Sequence, residues 1–148
     1  MQKAYKYTVL YFLLFSLLLL LSSILLFAEK IGFSQDAIVV YYLGDEEKFL
    51  IAKSMSGILK IVLPHIFAFG LFCMLVLHFV VFTKSNKSKY MKFFIYGLFI
   101  LSLLEIFTPL LIINGFEIFA YLKLISFFLF EFLALLLLWI LFRSIIYE

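Results

Sequence analysis

Five ionisable side chains interrupt the long apolar stretches of this sequence, and they are its candidate site residues: His65, His78, Glu105, Lys123 and Glu131. Such groups are costly in hydrocarbon, so those found there pair with one another or mark a functional site. Imidazoles suit haem or metal ligation and proton transfer, whereas carboxyl and amino groups suit ion pairs and proton relays.

The two histidines are candidates for binding haem b or a metal. They lie thirteen positions apart on one predicted helix, which separates the imidazoles by roughly 140° around the axis and roughly 20 Å along it. One haem cannot bridge them. A bis-histidine site would need His65 or His78 paired with a second copy or a partner subunit, and hydrogen bonding to a neighbouring helix is the alternative.

The other three candidates predict a polar seam between two adjacent spans. Counted from the turn at residues 114–117, Glu105 is about 13 Å deep and Lys123 about 8 Å deep, which is close enough for an ion pair. Glu131 lies near the bilayer centre, where a protonated carboxyl costs less than a charged one. We therefore expect Glu131→Gln to be tolerated better than Glu131→Lys.

Two interpretations of this seam stay open. It is either a structural clamp or, with His78, part of a proton or ion pathway in an oligomer. Catalytic motifs give no support to an enzyme, because the sequence contains no phosphate-binding glycine loop, no HExxH, no GxSxG and no CxxC. The sequence therefore predicts a protein that is not an enzyme.

Composition places these residues in a membrane protein. Of the 148 residues, 67% are hydrophobic and 14% are charged, whereas about a quarter of a soluble domain is charged. The lipid bilayer is therefore the expected environment. The net charge of +3 comes from residues at the ends of apolar runs, so nucleic acid is not an expected partner. The single cysteine, Cys73, excludes an intramolecular disulfide.

Four apolar runs are long enough to cross a bilayer, which takes about 20 residues. They extend over residues 7–28, 61–83, 93–113 and 118–142. We read the first as a retained helix rather than a signal peptide, because its apolar core is too long. The sequence thus predicts one all-α membrane domain, an antiparallel bundle of four transmembrane helices over residues 1–148.

Lysine and arginine positions predict the orientation. Lys3 and Lys6 precede the first span, the connection TKSNKSKYMK contributes Lys84, Lys87, Lys89 and Lys92, and Arg143 follows the last span. Positive residues concentrate on the cytoplasmic side, so both termini are predicted there. The loop over residues 29–60 is then the large outer loop.

This outer loop is predicted to contain a short amphipathic helix. Ser34 is a suitable N-cap, Asp36 suits the positive end of a helix, and Gly44 suits the position after its end. A second capping serine, Ser54 or Ser56, precedes the next span. A solvated connector and a lid over a ligand site are the two interpretations of the loop.

One part of the chain resembles a known group of proteins. GFSQDAIVVYYLGDEEKF and the following KSMSGILKIVLPHIFAFGLFCMLVLHFVVFTK resemble a segment of small, uncharacterised bacterial four-helix inner-membrane proteins. The resemblance covers the outer loop and second span, including His65 and His78. It implies a multi-pass location in the bacterial inner membrane and carries no activity.

Our leading interpretation is a non-catalytic accessory or assembly subunit that acts by helix–helix association, either as a homo-oligomer or with other membrane subunits. The first alternative is a haem b-binding electron-transfer or sensor subunit that uses His65 or His78. The second is an oligomeric proton or ion conductor that uses Glu105, Glu131 and His78.

Overall fold

The computed structural model describes residues 3–83 and 88–147, which form five helices and no strand. The helices are α1 (Lys3–Lys30), α2 (Gln35–Leu43), α3 (Met55–Val81), α4 (Lys89–Ile113) and α5 (Phe119–Tyr147). All except α2 are long and apolar enough to cross a membrane. This confirms the predicted all-α fold. Lys84 and Lys87, which contribute to the predicted orientation, lie outside the described residues.

The four long helices extend beyond the predicted apolar spans. Hydropathy locates the part that fits in hydrocarbon, whereas backbone hydrogen bonding continues into polar residues until a cap ends it. Thus α3 begins at Met55 rather than at residue 61, because Ser54 Oγ accepts a hydrogen bond from Gly57 N at 3.2 Å. Likewise α4 begins at Lys89, where Ser88 Oγ accepts from Tyr90 N at 3.3 Å.

The short helix α2 has both predicted caps. Ser34 Oγ accepts a hydrogen bond from Ala37 N at 3.1 Å, and Gly44 N donates to Val40 O at 2.9 Å. Ile38 and Tyr42 are buried against the bundle. The loop helix is therefore packed onto the spans rather than free in solvent.

Gly44 joins α2 to a tight turn that ends in an isolated bridge between Asp45 and Leu50. Its φ is +80°, and a Cβ there would lie 2.5 Å from Leu50 O. Only glycine fits this conformation and this close backbone approach. Within the turn, Lys48 Nζ lies 2.9 Å from Asp45 Oδ2. Their hydrogen bond holds the pKa of the Asp45 carboxyl below its ordinary value.

Helix α5 is the centre of the bundle, because every other helix packs against it. Its closest neighbour is α4, whereas α1 packs mainly on α5 and α2 sits across the ends of α4 and α5. Two groups of buried apolar residues fill the interior, one near α2 and one towards the end of α3 and the start of α4. We call these two ends of the bundle the α2 end and the opposite end.

Helices α1 and α3 meet at the opposite end and separate towards the α2 end. Aromatic rings hold them together where they meet: Phe12 lies 6.4 Å from Phe72 and 5.0 Å from Phe79, and Tyr5 lies 6.0 Å from Phe79, between ring centroids. Beyond Phe72, the two helices form facing walls of a cavity. The bundle therefore has an open cleft on one side, in its α2 half.

Candidate functional site

The α1/α3 cleft encloses a cavity of about 470 Å³, which is within the usual range of small-molecule pockets. Residues from all five helices surround it. Most lining side chains are apolar, and the aromatic ones are Phe27, Tyr41, Tyr42, Phe69, Phe72, Phe127 and Phe130. Three of the predicted site residues, Glu105, Lys123 and Glu131, lie at its floor, on α4 and α5. The cavity is thus a mostly apolar space with polar groups at its base, and Lys30 and Lys60 also line it.

The first polar group at the floor is a closed network on α4 and α5. Lys123 Nζ forms an ion pair with Glu105 Oε2 and donates a hydrogen bond to Glu105 O at 2.9 Å. Ser126 Oγ donates to Glu105 Oε1 at 2.6 Å. Each of the three residues is at most 7% exposed. Both carboxylate oxygens and the ammonium group therefore have partners inside the bundle, which is what a buried charge pair requires.

The second polar group, at the cavity floor, is an open pair between α1 and α5. Ser23 Oγ lies within hydrogen-bonding distance of Glu131 Oε1 and of Leu20 O, the latter at 2.9 Å, and its single hydroxyl hydrogen serves one of the two at a time. Glu131 is only 5% exposed, yet its Oε2 has no hydrogen-bond partner among the described residues. A buried polar atom left unpaired costs roughly 1–3 kcal/mol. Glu131 is thus a buried carboxyl with one oxygen left without a hydrogen bond among the described residues.

The two histidines are separated in the structure. His65 lines the cavity wall, and its Nδ1 lies 2.6 Å from Ile61 O, one turn earlier on α3. His78 lies towards the opposite end of α3, outside the cavity lining, with its ring 5.2 Å from that of Phe82. Both side chains are exposed on the bundle surface. The structure therefore brings His65, and not His78, to the cavity that contains the two carboxyl groups.

Helix α2 covers the end of the cavity with two tyrosines. Tyr42 is 2% exposed and faces the cavity floor. The Tyr41 ring packs edge to face against the Tyr42 ring, with 4.9 Å between ring centroids. Burial raises the pKa of Tyr42, which keeps the phenol neutral. Lys53 Nζ lies 4.0 Å from the centre of the Tyr41 ring, so the chain that follows α2 fastens it in place. Helix α2 thus lies over the end of the cavity, and a lid over a ligand site stays a prediction.

Two residues that complete these polar groups, Ser23 and Ser126, are not among the sequence candidates. Ser126 follows Lys123 by three positions and so shares its helix face, which is a signal that sequence reasoning could have used. Nothing in the sequence marks Ser23, because α1 carries several serines and is apolar all round. Only the packing of α1 against α5 identifies it.

The site has no conventional metal-binding cluster among the described residues, where no three His, Cys, Asp or Glu side chains come together. Cys73 is buried in the opposite half of the bundle, among apolar residues. Binding of haem by His65 or His78 stays a prediction.

Comparison with protein families decides the membrane assignment. The model of a family described as a transmembrane helical domain matches residues 32–148. The chain belongs to this family. It is a polytopic membrane protein, and the matched region contains α2, α3, α4 and α5, whereas α1 precedes it. No curated protein and no solved structure matches the chain.

The two polar groups differ in how much of each lies within the region that matches the family model. The closed network of Glu105, Lys123 and Ser126 lies entirely within the matched region. The open pair joins Glu131, inside that region, to Ser23 on α1, outside it.

Proposed function

We propose that this protein is a non-catalytic accessory or assembly subunit of the bacterial inner membrane, which binds another membrane subunit by helix–helix association. The observation that carries the proposal is an exposed stripe along α3. We call it the α3 stripe; its members are Leu63, Phe67, Gly70, Met74 and His78.

The α3 stripe has the spacing of a helix-packing surface. Its members recur every three or four positions and so lie on one face of the helix. Gly70 is near the middle, and a Cβ there would meet no atom within 4 Å. A small residue at such a position lets another helix approach closely in a membrane. His78 adds a hydrogen-bonding group on the same face, which suits a partner helix better than lipid.

The closed network supports a non-catalytic role. A reacting group must reach its substrate, whereas Lys123 and Ser126 are buried and already bonded to Glu105. The network joins the two helices with the most extensive contact, α4 and α5. It therefore accounts for three polar residues as a clamp within the bundle.

For the orientation, we propose that the amino terminus, the carboxyl terminus and residues 82–88 face the cytoplasm, with α2 on the outer surface. Lysines 84, 87, 89 and 92 support this arrangement through the usual positive-inside bias. Labelling of Glu46→Cys by a membrane-impermeant maleimide on intact spheroplasts, in a Cys73→Ala background, tests it. Labelling only after lysis would reverse the orientation.

Site-specific photocrosslinking in the native membrane tests the association. A photoreactive residue at Phe67 should give a discrete higher-mass adduct, identified by mass spectrometry. The same residue at Phe93 of α4 is the matched control, since both side chains are 73% exposed. The proposal fails if Phe67 gives no adduct, or if Phe93 gives the same one.

A second variant links the adduct to the stripe. Gly70→Phe should abolish the Phe67 adduct while leaving the helix content and stability of the purified protein unchanged, because the space beside Gly70 is open. An undiminished adduct would contradict packing at Gly70. An absorption spectrum of the same preparation tests the haem alternative directly, because bound haem b gives a Soret band.

A further inference from the structure

The cavity in the α1/α3 cleft is about one membrane leaflet deep. Its lining residues extend from Lys30 to Leu19 on α1 and from Lys60 to Phe72 on α3. These ranges are about 16 Å and 18 Å long at the helical rise, whereas half of the hydrocarbon core is about 15 Å. The ring contact between Phe12 and Phe72 closes the cleft at the end away from α2. The cavity therefore spans the leaflet on the α2 side and ends near the middle of the bilayer.

The cleft is open to the surrounding lipid along its side. Leu19 and Leu26 on the α1 wall are 50% and 56% exposed. Ala68 on the α3 wall is exposed as well. Most of the other lining side chains are apolar. An acyl chain of a neighbouring lipid can therefore enter the cavity from the bilayer without crossing the bundle.

Two lysines line the cavity at the level of the membrane surface. Lys30 lies two residues beyond the apolar run at 7–28, and Lys60 immediately precedes the run at 61–83. Both side chains are exposed, and both line the cavity. Lysine side chains near the ends of transmembrane helices extend to the membrane interface. The two ammonium groups are therefore at the level of the phosphate of a lipid whose acyl chain occupies the cleft.

The positive charge at this end of the cavity is not balanced by the protein. Neither Lys30 nor Lys60 forms an ion pair with a described residue, and Glu29, which precedes Lys30, does not line the cavity. The acidic lining residues are at the floor, where Glu105 belongs to the closed network and Glu131 is buried. An anionic lipid headgroup would supply the missing negative charge.

The headgroup, rather than the acyl chain, should decide which lipid binds. The cavity wall and the bilayer are similarly apolar, so an acyl chain gains little by moving from one to the other. Each lysine near the membrane surface strengthens the binding of anionic lipid about fivefold, so two lysines give a preference on the order of tenfold. A zwitterionic headgroup brings its own ammonium group close to the lysines and loses most of this gain.

We propose that the cleft binds one anionic phospholipid of the phosphatidylglycerol type from the leaflet on the α2 side. Its phosphate accepts hydrogen bonds from Lys30 and Lys60, and one acyl chain extends between α1 and α3 as far as Phe72. The second acyl chain stays in the bilayer. The site does not depend on the α3 stripe, because Gly70 of the stripe and Ala68 of the cavity wall lie on different faces of α3.

Native mass spectrometry tests the headgroup preference. The purified protein is released from micelles that contain equal amounts of dioleoyl phosphatidylglycerol and dioleoyl phosphatidylethanolamine. One lipid should stay bound per chain, with phosphatidylglycerol preferred about tenfold. Lys30→Gln combined with Lys60→Gln should reduce the preference to within about twofold. The control, Lys89→Gln combined with Lys92→Gln, removes the same charge at the opposite end and should keep the preference.

A photoreactive lipid locates the acyl chain. Phosphatidylglycerol with a diazirine midway along one acyl chain should crosslink on illumination to the cavity-lining segments of α1 and α3, identified by peptide mass spectrometry. Ala68→Phe fills part of the cavity and should abolish this crosslink. Gly70→Phe adds the same side chain on another face of α3 and should leave the crosslink unchanged.

Three results would overturn the proposal. The first is equal binding of the two lipids by the unaltered protein, and the second is an unchanged preference after both Lys30 and Lys60 are replaced. The third is crosslinks spread evenly over the four spans, which would indicate annular lipid only.

Competition separates the phospholipid from a fatty acid with the same tail. Displacement of bound phosphatidylglycerol by an equal concentration of oleate would assign the two lysines to a carboxylate ligand and would also overturn the proposal. The Gly70→Phe variant keeps this proposal distinct from helix–helix association, because it should lose the partner adduct and retain the lipid.

Discussion

The closed network of Glu105, Lys123 and Ser126 and the open pair of Ser23 and Glu131 place a carboxyl group in the same membrane bundle in opposite ways. In the network, both oxygens of Glu105 and the cation of Lys123 have partners. In the pair, one oxygen of Glu131 has a partner and the other has none among the described residues. A fully satisfied buried group makes the bundle more rigid, whereas a half-satisfied one leaves the cost of burying its unpaired atom uncompensated. Burial alone does not distinguish the two.

The largest effect should come from breaking the closed network at its cation. Lys123→Met leaves the Glu105 carboxylate buried without its counter-ion, which typically costs about 3–5 kcal/mol. We expect a corresponding loss in the free energy of unfolding, measured by denaturant titration in mixed micelles. The double variant Glu105→Gln with Lys123→Met removes both charges and should recover most of the loss. A Lys123→Met protein as stable as the parent would show that the pair is not a clamp.

A smaller contrast is expected between the two serines. Ser126→Ala removes a donor from a fully buried carboxylate and should cost about 1–3 kcal/mol. Ser23→Ala should cost less, about 0.5–1 kcal/mol, because a hydrogen bond to a neutral carboxyl is weaker than one to a carboxylate. Thermal unfolding of both variants side by side measures the difference. Equal losses would remove the distinction between the closed network and the open pair.

The smallest effect on stability is expected at Glu131 itself. Glu131→Gln keeps the shape and the hydrogen-bonding groups of a neutral carboxyl, so it should change the free energy of unfolding by less than about 1 kcal/mol. Glu131→Lys introduces a cation into the hydrocarbon and should lower the yield of folded protein severalfold. Size-exclusion chromatography of the membrane extracts compares the two. Equal loss of folded protein in both would argue for a charged Glu131 in the native bundle.

Much of the fold could be predicted from residue patterns. The four spans follow from apolar length alone, and the ends of α2 follow from the capping chemistry of Ser34 and Gly44. The contact between Glu105 and Lys123 follows from counting residues on either side of a short turn, since two helices joined that way must be neighbours. These inferences use distances along the chain.

The open pair could not be predicted in this way, because it depends on which distant helix lies beside α1 and how each helix is rotated. In a soluble protein an apolar stripe fixes that rotation, but α1 and α5 are apolar on all sides. The apolar pattern then does not show which face of each helix contacts lipid and which contacts protein. The cavity could not be predicted for the same reason. It exists only where α1 and α3 separate, which depends on how the helices pack.

The packing of α1 against α5 also has a consequence for biosynthesis. Helix α1 leaves the ribosome well before α5 and must wait in the bilayer until α5 arrives, because α5 is its main neighbour. Before α5 packs against α1, Ser23 has no carboxyl to bond, and the α5 residues that form the cavity floor are not yet in place. Completion of the bundle is therefore a late, post-insertional step, at which a nascent chain is open to capture by chaperones or membrane proteases.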